Sequence, residues 1–87
     1  MTALHIKTNG EKTEVVPLNS KTFSLEELQK FVDGPIEILL TKDQQTMIVN
    51  EEGRLRNLPV NMEATSLIKG HIIVGNVLVC DWSELQR

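Results

Sequence analysis

Thr46-Met47-Ile48-Val49-Asn50-Glu51-Glu52-Gly53-Arg54-Leu55-Arg56-Asn57-Leu58-Pro59-Val60-Asn61 is the stretch around which this chain of 87 residues is organised. Thr46 to Asn50 has the apolar, β-branched character of a strand. The polar Asn50-Glu51-Glu52-Gly53 reads as a turn. Leu55, Leu58 and Val60 are then expected to re-enter the core, and Asn61 offers itself as a helix N-cap. No other part of the chain brings together so many polar and backbone-shaping residues. A strand, a turn and a helix start in such short order indicate a small mixed domain.

Downstream, Ala64, Leu67 and Ile68 form the apolar stripe of a short helix that Gly70 ends. The run Ile72 to Cys80 is too apolar for an edge, so it belongs in the centre of a sheet. Gly75-Asn76 interrupts it as a bulge or a two-residue turn; the bulge is preferred, with the main strand over residues 76–80. Asp81 to Arg87 reads as a frayed helical turn.

Upstream, Ile36 to Leu40 pairs with Thr46 to Asn50 through the polar link Thr41 to Gln45, a length that suits a hairpin. Ile36, Ile38 and Leu40 are expected to line one face, with Glu37 on a wetter one. Ser24 and Glu27 spell a capping box, and Phe23 with Leu28 a hydrophobic staple. Leu25, Leu28 and Val32 share the inward face, and Asp33-Gly34-Pro35 stops the helix with Gly34 left-handed. Leu4 and Ile6 alternate with His5 and Lys7, and Asn9-Gly10 predicts a type I′ turn into a second strand at Val15-Val16.

Composition narrows the function classes. Surface scaling has a 9.8 kDa chain burying about 64% of its unfolded surface, so residues 1–87 form one domain that a homo-oligomeric contact would supplement. The net charge is −3, with 5 basic and 7 acidic groups in residues 1–44 and 4 and 5 in residues 45–87. Without a basic stripe, and with only Phe23, Phe31 and Trp82 as aromatics, nucleic-acid binding has no support. No apolar run reaches the roughly 20 residues of a membrane span. Cys80 stands alone, which fits a reducing compartment, and a cytoplasmic location is expected.

The middle and end of the chain resemble an uncharacterised family, domain-of-unknown-function family 3846. The residues that carry the likeness are Leu28 to Gly34, Ile36-Glu37, Val49 to Leu55, Leu58 to Asn61, Ile73 to Gly75 and Val77 to Val79. The Asn-Glu-Glu-Gly turn with Leu-Pro-x-Asn after it is the most specific part. Asp33-Gly34 stands where the family looks like Gly-Gly, and Asn57 where a Gly often precedes Leu-Pro. The resemblance implies a small protein of bacteria, phages or mobile elements and carries no activity with it.

Asn50, Glu51, Glu52, Asn61 and Thr65 are the candidate ligand-binding residues, a carboxylate pair beside amide groups and a helix start. The competing reading is structural: Asn50 and Glu52 satisfy turn amides and Asn61 caps its helix, and this reading is favoured. His5, His71, Cys80 and Asp81 match no zinc spacing, so no metal or cofactor is expected. Cys80 reads as a small buried hydrophobe. Trp82 is the candidate partner anchor, weighed against packing within its own chain.

The expected fold is thus α+β in the order ββαββαβ: a mostly antiparallel sheet of about five strands with two helices on one face. The expected function is a non-enzymatic interaction or accessory protein of mobile-element type, with a second copy of itself (a homodimer or other homo-oligomer) or another protein as its partner. The alternative is a small polar or anionic ligand bound by the Asn50–Gly53 turn and the N-terminus of the Asn61 helix. An enzyme using Glu51 or Glu52 as base ranks behind both.

Overall fold

Ser24 begins the first helix as its residues dictate. Its Oγ accepts from Glu27 N–H at 3.2 Å, and Glu27 Oε1 accepts from Ser24 N–H at 2.9 Å, closing the capping box. A computed structural model describes residues 3–85. Its elements are β1 (Ala3–Ile6), β2 (Lys12–Val15), α1 (Leu25–Val32), β3 (Ile36–Leu40), β4 (Thr46–Asn50), α2 (Met62–Leu67) and β5 (Val77–Cys80). The expected ββαββαβ order and α+β class are what the chain adopts. A 3₁₀ turn, Trp82–Glu84, follows β5; residues 86 and 87 of the expected frayed turn lie outside the described residues.

The five strands form one antiparallel sheet in the order β2-β1-β5-β4-β3. Two hairpins flank β5, which pairs Leu78 with His5 on one side and with Ile48 on the other. Every residue of β4 and β5 is buried, as central strands require.

The helices do not share a face. Ala3, Phe23, Leu28, Val32, Ile48, Leu78, Cys80 and Leu85 form the core under α1. Ile6, Met47, Val49, Ala64, Ile68, Ile73, Val77 and Val79 form a second core that includes residues of α2. Strand alternation explains the division: Ile48 and Leu78 point one way, Met47, Val49, Val77 and Val79 the other. A sheet with apolar residues at both parities must be covered on both sides, so the expectation of helices on one face is corrected.

Other local expectations are corrected too. Leu55 is 86% exposed and Val60 is also exposed, so neither re-enters the core. Leu25 is exposed, whereas Leu28 and Val32 are buried as expected. The run Ile72 to Cys80 enters the sheet only at Val77. Val74 instead makes an isolated bridge to Val60, and Gly75 N–H donates to Pro59 O at 2.8 Å. Gly75-Asn76 is therefore neither a bulge within a strand nor a hairpin turn. It is a bend held by that side contact, with Asn76 Oδ1 accepting from Thr8 N–H at 3.0 Å. The β1–β2 connection uses positive φ only at Gly10 (91°), not at Asn9, because five residues rather than two span it.

At the end of α1, Asp33 rather than Gly34 takes the left-handed conformation (φ 64°). Gly34 serves a different need. A Cβ there would lie 2.9 Å from Asn50 Nδ2 and 3.1 Å from an Arg56 guanidinium nitrogen. Asn57 is left-handed as well, with φ 53°. Asp33 and Asn57 are the two positions at which the sequence stands where glycine is expected. Their backbone shows why glycine suits them.

Candidate functional site

The turn after β4 is built from its own polar groups. Asn50 Nδ2 donates to Val32 O at 2.9 Å, and Asn50 Oδ1 accepts from Glu52 N–H at 2.7 Å. Glu51 N–H donates to Pro35 O at 2.8 Å, which carries the β3–β4 pairing one residue further. Both carboxylates of this turn, on Glu51 and Glu52, are on exposed residues.

Asn61 is fully buried. Its Oδ1 accepts from Ala64 N–H at 3.0 Å, and its Nδ2 donates to Ile6 O at 3.0 Å and Gly75 O at 2.9 Å. One side chain thus caps α2 and ties it to β1 and to the bend before β5. Thr65 Oγ1 accepts from Ile73 N–H at 2.9 Å, joining α2 to the same segment. Asn50 engages the end of α1 on one side of the sheet, and Asn61 and Thr65 serve α2 and the segment beside it. The five candidate residues are therefore not brought to a common point, and Asn50, Asn61 and Thr65 spend their polar atoms on backbone.

Two open clefts lie elsewhere. The first, about 350 Å³, is lined by Glu37, Leu39, Glu51, Arg54, His71 and Ile72 among others. The second, about 460 Å³, is lined by Leu39, Leu40, Lys42, Ile68, Lys69 and His71 among others. They share Leu39 and His71, so they flank the middle of β3. Of the candidate residues, Glu51 and Asn50 reach the first cleft. From sequence, His71 was weighed only in a metal set and Glu37 only as a mark of the wetter strand face, and Arg54 was not considered as a site residue; nothing in their spacing brings the three together.

Strand β3 has the bounds and the partner expected of it, but its place in the sheet is a feature that sequence reading missed. Among the described residues it is an edge, paired only with β4. Thr41 N–H donates to Gln45 O at 2.9 Å and Glu51 N–H to Pro35 O, so the odd-numbered residues face β4. Alternation then turns the N–H and C=O groups of Ile36, Ile38 and Leu40 outward. Ile36, Ile38 and Leu40 line one face as expected, but that face is open at the edge, with Ile38 44% and Leu40 70% exposed. The opposite edge, β2, is Lys12-Thr13-Glu14-Val15, and Lys12 Nζ sits 2.9 Å from Glu63 Oε2. Lone strand residues do not reveal edge position; the strand order does.

The remaining reactive groups lie apart. Among the described residues no three of His, Cys, Asp and Glu gather as a metal site would require. His5 Nε2 lies 2.9 Å from Phe31 O. Cys80 is buried, and burial, with Glu84 and Asp81 nearby, pushes its thiol up to about 12. Trp82 is half exposed and lies two residues past the cross-strand row Leu40, Thr46 and Cys80. No described helix is long and apolar enough to cross a membrane.

No curated protein and no solved structure matches the chain. A family model described as a domain of unknown function, DUF3846, matches residues 1–85. The match reaches beyond the turn and strands that first carried the likeness and takes in both hairpins, both helices and β5. The chain belongs to the DUF3846 family of domains of unknown function.

Proposed function

We propose that this is a non-enzymatic interaction protein, an accessory protein of mobile-element type, whose binding surface is the β3 edge. The observation that carries the reading is an apolar edge strand with outward main-chain groups and exposed Ile38 and Leu40. Such an edge is a template for another strand, and soluble proteins ordinarily guard it with charge. The bonding of Asn50, Asn61 and Thr65 to backbone supports the same reading, because it leaves those side chains with little to offer a ligand. Trp82 is a further anchor for a partner.

The test is a photo-crosslinking amino acid placed at Ile38 or, as control, at Thr13 on the β2 edge, in the host cell. Protein adducts from position 38 and none from position 13 are expected. Equal yields at both positions, or none at 38, would remove the reading.

One observation favours a second reading, a small polar or anionic ligand: Glu51, Arg54 and His71 line the same cleft. Titration with inorganic phosphate, followed through the His71 and Arg54 side-chain resonances, tests it. Unmoved resonances would dispose of an anion site there.

A further inference from the structure

We infer that the partner of the β3 edge is a second copy of this chain, paired antiparallel about a two-fold axis at Ile38. This rests on the reading of β3 as the binding surface and adds its occupant and register.

The argument begins with parity. Outward N–H and C=O groups belong to Ile36, Ile38 and Leu40. A two-fold axis at Ile38 sets Ile38 opposite Ile38 of the second copy, and Ile36 opposite Leu40, twice. Each of these pairs can exchange two main-chain hydrogen bonds, so the outward groups of one strand meet those of the other. No acceptor is left facing an acceptor.

The side chains agree with the backbone. Ile36, Ile38 and Leu40 lie on one face, so the seam there is apolar throughout and covers the exposed Ile38 and Leu40. On the other face Glu37 falls opposite Leu39, so no like charges stand directly across from each other. The clefts flanking Leu39 leave that face open to an incoming strand's side chains. The β2 edge lacks this fit: its outward groups belong to Lys12 and Glu14, both exposed, and pairing there would cover little apolar surface.

A second copy suits the strand better than an unrelated peptide because Ile36-Glu37-Ile38-Leu39-Leu40 is complementary to itself in this register. The seam is short. Five strand residues a side stand against the roughly 20–30 of a standard lasting interface, which places the dimer in the reversible class.

Sedimentation equilibrium of the purified full chain across concentration, with amide exchange by NMR on the same samples, tests the inference. The wild type should pass from monomer to dimer. The Ile36, Ile38 and Leu40 amides should gain protection with concentration, while those of Glu37 and Leu39 stay protected throughout. Ile38→Lys sets two lysines face to face and should weaken the dimer at least ~10-fold. Leu40→Lys, at a more exposed position, repeats the test with less risk to the fold, and Thr13→Lys should leave the dimer intact. A wild type that stays monomeric at millimolar concentration overturns the inference, as does a dimer that survives both lysine variants. A monomer that still crosslinks to another protein through position 38 would overturn self-pairing alone and leave the interaction reading standing.

Discussion

Asn61 carries three hydrogen bonds from one buried amide, and no smaller side chain can replace them. Asn61→Ala removes the cap of α2 and orphans two carbonyls. A loss of about 2–4 kcal/mol is expected in urea unfolding. Asn57 presents the opposite case, a residue whose backbone would accept glycine more readily. Left-handed backbone costs an L-residue of order 1 kcal/mol, less for asparagine, so Asn57→Gly should raise stability by about 0.5 kcal/mol. An unchanged or lower urea midpoint would contradict it. The sequence showed that Asn61 starts a helix, because a cap is a local relation. That its amide also reaches Ile6, 55 residues away, is a tertiary fact that no local pattern carries.

At the scale of the element, α1 was the most legible part of the chain. Its capping box needs only residues three apart, and the structure has it as expected. The box also holds a titrating group. Hydrogen bonds from Ser24 N–H and then Leu18 N–H hold the Glu27 carboxyl below its ordinary value of 4.5. A depressed folded value means that this stabilisation is present above pH 4.5 and is lost as pH falls through the folded value. Wild-type stability should therefore fall on that acid side, and Glu27→Gln should fall less; parallel pH profiles would refute the link. Strand β3 was the least legible element. Ile36, Ile38 and Leu40 read as a row on the face opposite Glu37, and that alternation is real. How far the row is buried was not legible, because burial depends on what lies beside and above the strand, and among the described residues the sheet stops at β3.

For the whole molecule, class and element order followed from the chain's patterns, but the layering did not. Ile48 and Met47 are neighbours in sequence yet belong to different cores. A reading that looks for one inward face per strand cannot anticipate that. Because one sheet separates the two cores, damage on either side should be felt by the entire domain. Leu28→Ala under α1 and Ile68→Ala beside α2 should each cost about 2–4 kcal/mol. Fluorescence of Trp82 and far-UV circular dichroism should report coincident transitions in both variants. Split transitions would show the cores to be separately cooperative. The place of β5 between the hairpins has a consequence for synthesis. β1 ends at Ile6 and its inner partner begins at Val77. At ~5–20 residues per second, a ribosome needs roughly 4–14 s to make what lies between. By the end of that interval the residues of both hairpins have been made, each hairpin with a flank meant for a strand that comes last, and the arrival of Val77–Cys80 lets them become one sheet.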